Sequence, residues 1–384
     1  MLVDFANYIR QNLLHVEASV HNIFLISIFA PLGISYITFQ AIGYLIEIKR
    51  GNQLAEKNIG YFATYLLYFP KVIAGPVERA HHFLPQFTLQ KKLDFAGVSA
   101  GLKQILWGLF KKLVIADRLS IYISTVFDNT AMHSGYTLAL CAIFYVFQMY
   151  ADFSGYTDMA LGFSKLLGLD LMPNFNRPLA AKSVTEFWRK WHISLSTWFG
   201  DYFYNPIAIA KRDWGQWAVI YASFITFIVL GFWHGANWTF IVFGFLQGAI
   251  LTIEFLTKKI RKNLRKKIPG AVNNTLGVIF TFCYFAFSLI FFRANSVTAA
   301  LDIIKGICHF KGSLFIPEQY MVLYPLFGIG IMLFVEWMEN RSHSAWGYFS
   351  HQNIIVRYSA YLAVSILILL LGVFDGGQFI YFQF

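Results

Sequence analysis

Residues 217–267 read WAVIYASFITFIVLGFWHGANWTFIVFGFLQGAILTIEFLTKKIRKNLRKK. They contain two apolar runs, 217–233 and 238–257, each close to the roughly 20 residues that cross a bilayer as a helix. Seven Lys and Arg residues and no acid follow at 258–267. Because short cytoplasmic loops of membrane proteins are enriched in Lys and Arg, this segment indicates the cytosolic side. The sequence therefore predicts two membrane-spanning helices joined by a turn, with His234 towards the outer half.

The composition of the whole chain supports a membrane protein. Of its 384 residues 57% are hydrophobic and only 13% are charged, and its mean hydropathy is +0.53. A soluble domain carries roughly a quarter charged residues, and a disordered chain has too little apolar sequence to match this one. The net charge of +11 could suggest nucleic-acid binding, but the basic residues concentrate between apolar runs, where membrane topology explains them.

Further apolar runs extend this pattern along the chain. Strong runs are 275–292, 321–337 and 354–374, and weaker ones, interrupted by Pro, Gly or charge, are 22–46, 59–75, 100–127 and 136–151. Such interruptions are tolerated where the backbone is buried in protein or lines a water-filled cavity. We therefore expect an all-α polytopic membrane protein with a polar interior and about eight or nine membrane elements.

The richest polar stretch is TEFWRKWHISLSTWFGDYFYNP at 185–206, which is too charged to span. One interpretation is a re-entrant segment that presents His192 and neighbouring charges to a substrate path. The alternative is an interfacial helix whose Arg189 and Lys190 extend to the lipid headgroups. The residues alone leave both open.

A second polar site is GFWHGANW at 231–238, where His234 follows a long apolar run. The small neighbours Gly231 and Gly235 permit close approach of another backbone or a ligand. A histidine among apolar residues is commonly a satisfied core residue. At membrane depth, however, ionisable groups are costly, which favours a functional role, and imidazole suits general-base chemistry near neutral pH.

Carboxylates mark a third stretch, QMYADFSGYTDMALGF at 148–163. We expect Asp158 to pair with an arginine and hold helices together, whereas Asp152 could do the same or line a cavity and orient a histidine. GVSAG at 97–101 resembles a nucleophile elbow, but no buried strand precedes it, so a helix start or close helix contact is favoured. His81 and His82, adjacent in a Gly-Pro loop, are weak evidence for a metal site, and no metal is expected.

Several segments, taken in order, resemble the membrane-bound O-acyltransferase family, specifically its bacterial alginate O-acetyltransferase branch. They are PLGISYITFQ (31–40), YFPKVIAGPVER (68–79), GLFKKLVIADRL (108–119), YADFSGYTDMALG (150–162), NFNRPLAAKSVTEFWRKWHISLSTWFGDYFYNP (174–206), LGFWHGANWTFIVFGFLQG (230–248), FFRA (291–294) and FIYFQF (379–384). The ordered set is specific although each segment alone is weak. The resemblance implies one domain over 1–384, built as a ring of tilted helices around a central tunnel, and lacking some of the family's N-terminal spans.

The resemblance also implies the site. His234 and His192 match the family's two histidines; His234 would remove the proton from an acceptor hydroxyl, and His192 would position the donor or polarise its carbonyl. Candidates for lining the tunnel or donor site are Asp152, Trp188, Arg189, Trp191 and Asn237. No bound cofactor is implied. Acetyl-CoA or another acyl thioester would serve as cytosolic donor, and an exported polysaccharide, with or without a secreted acetyltransferase partner, would serve as acceptor at a bacterial plasma membrane.

Three alternatives remain open at this point. The enzymatic one is D-alanyl transfer from a carrier protein to teichoic acid. A channel or transporter would also place polar groups in broken spans, although no internal repeat is visible. Finally, the short N-terminus leaves a catalytically incomplete scaffold as a third interpretation.

Overall fold

A computed structural model describes residues 33–89, 94–309, 311–342, 349, 351 and 353–374 of the protein, and no strand occurs among them. In chain order the helices are α1 (Ile34–Lys49), α2 (Ile59–Leu67), α3 (Ala80–Phe83), α4 (Phe95–Leu109), α5 (Asp117–Phe127), α6 (Gly135–Leu166), α7 (Val184–Trp188), α8 (Ile193–Phe199), α9 (Asn205–Ala210), α10 (Gln216–His234), α11 (Trp238–Leu256), α12 (Lys258–Arg265), α13 (Gly270–Arg293), α14 (Val297–His309), α15 (Gln319–Ser342) and α16 (Ile354–Leu371). The terminal motif at 379–384 and the start of the weak span at 22–46 lie outside the described residues.

Six of the described helices are long and apolar enough to cross a membrane: α6, α10, α11, α13, α15 and α16. All five strong apolar runs are therefore confirmed as helices of spanning length, and the chain is a multi-pass membrane protein. The weak run at 59–75 was predicted too long, because α2 ends at Leu67 and a turn follows.

Helix α6 contains 32 residues and runs well past the predicted end at 151. The helix continues because lysines from a neighbouring element neutralise both of its carboxylates. Lys112 Nζ lies 2.7 Å from Asp152 Oδ1, and Lys111 Nζ lies 2.6 Å from Asp158 Oδ2. The structural pairing expected for Asp158 is thus confirmed, with a lysine in place of an arginine.

The two lysines lie in a π-helical turn, Phe110–Ala116, that joins α4 to α5 and makes one helical path from 95 to 127. In this wider turn the consecutive lysines contact different carboxylates, Lys111 that of Asp158 and Lys112 that of Asp152. Such π-turns are frequent at functional sites. Residues 97–101, GVSAG, lie within α4, so the predicted helical location is confirmed and the segment is not a strand-to-helix turn.

Helix α4 packs against α6 through two glycine pairs, Gly101 with Gly162 and Gly108 with Gly155. A Cβ atom on Gly108 would lie only 2.5 Å from the carbonyl oxygen of Gly155. Small residues at a helix interface let backbones approach closely, which is a common way of packing helices in membranes. The contact holds the two helices antiparallel and brings Lys111 and Lys112 to the acids of α6.

Candidate active site

The helical structure is interrupted between α7 and α8, and His192 is the last residue of this non-helical segment. Its backbone adopts the left-handed conformation, with φ 43° and ψ 54°. For a residue with a Cβ atom this conformation costs about 1–2 kcal/mol, and such strain clusters at functional sites. The side chain is only 2% exposed. The segment at 185–206 is a series of short helices in which His192 is buried while Arg189 and Asp201 are exposed, so both interpretations of this segment stay open.

Hydrogen bonds hold the His192 ring on one side only. Its Nδ1 atom lies 2.9 Å from Asn174 Oδ1, while its Nε2 atom is buried and has no hydrogen-bond partner among the described residues. The ring lies edge-on to Phe153, with centroids 4.7 Å apart. An unpartnered buried acceptor costs about 1–3 kcal/mol, so this nitrogen is an exception that calls for a functional reason.

His234 ends α10, where the turn towards α11 begins. Aromatic rings surround it, with the Trp233 and Phe292 centroids 4.6 and 4.9 Å from that of the imidazole. A Cβ atom on Gly235 would lie 2.4 Å from the Phe240 ring, so glycine is needed for that ring to pack against the turn.

The two predicted histidines line the same small cavity, which has a volume of about 20 Å³. The other residues of its lining are apolar: Met149, Trp188, Trp191, Leu195, Leu230, Phe243, Phe285, Leu289 and Phe292. Such a space is close to the size of one water molecule. The continuous tunnel implied by the family resemblance therefore stays a prediction.

The other candidate residues are distributed around this cavity. Trp188 and Trp191 line it, and Trp188 Nε1 also donates a hydrogen bond to Gln247 at 3.2 Å. Asn237 caps α11 and bonds the carbonyl of Asn295, and Asp152 pairs with Lys112, so neither lies in the lining of this cavity. An oxygen that orients an imidazole, one of the two roles considered for Asp152, is supplied to His192 by Asn174.

Larger cavities also occur in the described part of the structure. A polar one of about 510 Å³ lies between α4, α6 and α15, and its charged lining residues are Lys111, Asp158, Lys165, Arg177, Glu336 and Glu339. A mostly apolar one of about 650 Å³ contains Arg189 and shares Trp188 and Leu230 with the histidine cavity. Across the part of the chain that the structure describes, no group of three or more His, Cys, Asp and Glu is placed to hold a metal ion.

Asn174 and Glu254 were not singled out as site residues from the sequence. Asn174 appears there only within the NFNRP motif, and Glu254 lies near the end of an apolar run. Glu254 Oε1 and Oε2 accept hydrogen bonds from the backbone N–H groups of Val184 and Thr185, at 3.0 and 2.9 Å. A lone acid next to a basic stretch was the available signal for Glu254.

Comparison with known protein families gives a match over more than half of the chain. The sequence profile "MBOAT, membrane-bound O-acyltransferase family" matches residues 56–296. The chain belongs to this family. The resemblance found in the ordered motifs is thereby confirmed, and both cavity histidines lie within the matched region.

Individual relatives in the family act on different polymers, according to their names. The chain is 35% identical over 273 residues to "Probable alginate O-acetylase AlgI" of Pseudomonas aeruginosa, covering 71% of this chain and 50% of the relative. It is 30% identical over 402 residues to "Peptidoglycan O-acetyltransferase" of Helicobacter pylori, and this match covers 92% of this chain and 74% of the relative. A "Teichoic acid D-alanyltransferase" of Streptococcus thermophilus is 31% identical over 219 residues, covering 54% and 52%. The chain thus spans about half the length of the AlgI relatives it matches.

Proposed function

We propose that the protein is a membrane O-acyltransferase of the bacterial plasma membrane that transfers an acetyl group from a cytosolic thioester, acetyl-CoA, to a hydroxyl group. The acceptor is an exported cell-envelope polysaccharide or a secreted protein that passes the group on. The observation that carries this proposal is that two imidazoles, in a member of this family, line one small cavity that shares Trp188 and Leu230 with a larger one.

The mechanism is direct transfer. The acceptor oxygen attacks the thioester carbonyl carbon, an imidazole takes the hydroxyl proton, the carbon–sulfur bond breaks and the departing thiolate receives a proton. A positioned general base contributes about 10²–10⁴-fold in rate, and holding both reactants in place can supply about 7–11 kcal/mol. The cavity lining contains His192 and His234 but neither serine nor cysteine, which supports a reaction without an acyl-enzyme.

The polar cavity is the proposed entrance for the donor. With 258–267 in the cytosol, α13 begins there and ends on the opposite side, where Arg293 pairs with Asp128 at 2.8 Å. Gly135, the first residue of α6, bonds Lys311 in the loop after α14, so α6 begins on that outer side and ends on the cytosolic side near Lys165. Lys165 and Arg177 in the cavity suit the phosphate groups of a coenzyme.

The test uses purified protein in lipid nanodiscs with radiolabelled acetyl-CoA and either alginate or peptidoglycan oligosaccharides. We expect acetyl transfer by the wild type and a loss of at least about 10²-fold in His234→Ala and His192→Ala. The control is His309→Ala, which changes an exposed histidine at the end of α14. Wild-type rates in both cavity variants would contradict the proposed histidine dependence.

A second candidate is D-alanyl transfer to teichoic acid, supported by similarity to D-alanyltransferases of Streptococcus thermophilus and Bacillus subtilis, the latter 26% identical over 275 residues. The same preparation, given a D-alanyl thioester of a carrier protein and lipoteichoic acid, separates the two. Faster turnover of D-alanine than of acetate would select this alternative.

A further inference from the structure

Helix α12 carries its basic and its apolar residues on opposite faces. With about 3.6 residues per turn, Ile260 and Leu264 lie on one face. The residues of the opposite, basic face are Lys258, Lys259, Lys262, Arg265 and Lys266. Both apolar side chains are exposed, Ile260 by 60% and Leu264 by 51%. A basic helix with an exposed apolar face is typical of a helix that lies in a membrane interface.

The apolar face of α12 continues the lipid-facing side of α11. Ile253, near the end of this spanning helix, is 54% exposed, and the helical period places it in line with Ile260. Between the two helices Thr257 has φ −87° and ψ 3°, away from the helical ψ of about −42°. Because the helix axis changes direction there, α12 is not a straight extension of α11, and its apolar face stays against the membrane.

The basic face has no counter-ion within the described part of the protein. Its residues and the following Lys267 are exposed, and their side chains form no hydrogen bond or ion pair with any residue that the structure describes. Lys258, Lys262 and Lys266 follow one another at i, i+4 spacing, where like charges destabilise a helix. Anionic phospholipid headgroups attract basic residues that lie close to a membrane surface, so they would relieve this repulsion.

Arg261 is the exception on α12 and connects the helix with the structure ahead of His192. Its Nη1 atom lies 3.8 Å from Glu254 Oε1, and its Nη2 atom donates a hydrogen bond to the Glu254 carbonyl oxygen. The carboxylate of Glu254 in turn accepts the backbone N–H groups of Val184 and Thr185. Arg261 therefore joins α12 to the first turn of α7.

We propose that α12 docks on the anionic phospholipid headgroups of the adjacent leaflet, and that Arg261 transmits this docking to the first turn of α7. The apolar face enters the boundary of the acyl chains, the basic face binds phosphodiester groups, and the helix ordered in this way keeps Arg261 against Glu254. The occupant is a lipid surface and not an acidic protein or a nucleic acid, because Ile260 continues the lipid-facing side of α11. Docking of this kind does not depend on the acyl-transfer reaction.

The first experiment measures lipid selectivity. The full chain in neutral detergent is titrated with phosphatidylglycerol or phosphatidylcholine, and native mass spectrometry gives the Kd of each lipid. We expect tighter binding of phosphatidylglycerol, and a Kd for it raised by at least about fivefold in Lys259→Gln combined with Lys262→Gln. The matched control, Lys305→Gln with Lys311→Gln, removes the same charge from exposed lysines elsewhere and should stay within about twofold of wild type. Equal Kd values for the two lipids, or equal losses in the two double variants, would overturn the proposal.

A charge-conserving variant separates a lipid surface from a soluble acidic partner. Ile260→Ser with Leu264→Ser keeps every charge of α12 and removes only its apolar face. We expect the Kd for phosphatidylglycerol to rise by at least about fivefold, because contact of this face with the acyl chains contributes to binding. A Kd within about twofold of wild type would show that charge alone is recognised, and would overturn docking on a lipid surface.

The second experiment follows the connection to α7 by hydrogen exchange and needs no acyl donor. The chain is placed in nanodiscs of phosphatidylcholine with or without phosphatidylglycerol, and mass spectrometry measures exchange of the Val184 and Thr185 N–H groups. We expect phosphatidylglycerol to slow this exchange in the wild type, and we expect Arg261→Gln to lose the effect. Arg265→Gln removes the same charge from the basic face without touching Glu254 and should retain it. No slowing in the wild type, or equal slowing in the two variants, would overturn the role given to Arg261.

Discussion

Thr185 and Glu254 are joined by a hydrogen bond of 2.6 Å from the threonine hydroxyl to Oε2. The two residues belong to α7 and α11, and the same carboxylate accepts two backbone N–H groups of the first turn of α7. The first N–H groups of a helix have no partner within the helix, and an anion there also interacts favourably with the helix dipole. A spanning helix thereby fixes the short helix that leads to the break at His192.

Replacing Glu254 with alanine should destabilise the protein by about 1–3 kcal/mol, because two buried donors lose their acceptor. Transfer activity should fall with it, since the segment before His192 loses its anchor. Unfolding in detergent, followed by tryptophan fluorescence, measures the first effect. Glu318→Ala, in an exposed loop, should stay within about 0.5 kcal/mol of wild type. Equal stability of the two variants would show that the cap is dispensable.

Lys112 holds two buried acids together, at 2.8 Å from Asp117 and 2.7 Å from Asp152. These acids are 4% and 2% exposed. Lys112→Ala should therefore cost about 3–5 kcal/mol, because two carboxylates stay buried without their cation.

An exposed ion pair provides the comparison for this prediction. Lys305 pairs with Asp302 at 3.3 Å on the surface of α14, and Lys305→Ala should change stability by at most about 1 kcal/mol. Combining Lys112→Met with Asp117→Asn and Asp152→Asn should recover part of the loss, since the two buried carboxylate charges are removed. Similar unfolding midpoints for Lys112→Ala and Lys305→Ala would contradict the role given to Lys112.

The glycine contact between α4 and α6 should tolerate no added methyl group. In Gly155→Ala the new Cβ atom would lie 2.8 Å from the Gly108 oxygen, and overpacking of this kind costs about 1–3 kcal/mol. Gly330→Ala in α15 meets nothing within 4 Å, so helix propensity alone should stabilise it by up to about 1 kcal/mol. Opposite shifts in thermal unfolding are the expected result, and equal shifts would refute the packing argument.

Stability should also depend on pH through His82, which lies in α3. A hydrogen bond with Glu78, at 2.9 Å, raises the pKa of His82 above its ordinary value, against an opposing effect of partial burial. A group whose pKa is higher in the folded state stabilises the fold fully below its unfolded pKa, about 6.5, and this contribution is lost as pH rises through the folded pKa.

The thermal unfolding midpoint of the wild type should accordingly decrease as the pH is raised from about 6.5 to the raised pKa of His82. This part of the decrease should be absent in His82→Gln. Differential scanning fluorimetry measures the unfolding midpoint of both proteins as a function of pH. A range of about pH 5.5–9 begins below the pKa of free histidine, which is about 6.5. The neighbouring exposed His81→Gln provides the control and should follow the wild type. An unchanged pH slope in His82→Gln would exclude the Glu78 interaction as the cause.

The strong apolar runs could be predicted because hydrophobic length alone determines a spanning helix. The end of α6 could not, since Asp152 and Asp158 look like a helix boundary until the lysines of a separate element neutralise them. The convergence of His192 and His234 came from family resemblance and not from spacing. The two histidines are brought together by the non-helical segment before α8 and by the turn after α10. Neither feature produces a periodic pattern of hydrophobic residues in the sequence.

Asn174 shows most clearly what a single sequence conceals. Its partner His192 lies 18 positions away and has a left-handed backbone, a conformation that only a few per cent of residues other than glycine adopt. No propensity or motif spacing predicts such a contact. Only the folded arrangement of Val77, Ser194 and Asn174 reveals it.

The smallness of the space between the two imidazoles has a consequence for selectivity. A volume of about 20 Å³ is close to that of one water molecule, so under the proposed function the sugar ring and the nucleotide of the two substrates would remain outside it. In the proposed reaction, a cavity of this size can select for a small functional group and makes no contact with the polymer that carries the group. The proposed function therefore places the selection of the polymer outside this cavity, and the relatives named for alginate, peptidoglycan and teichoic acid are in keeping with that proposal.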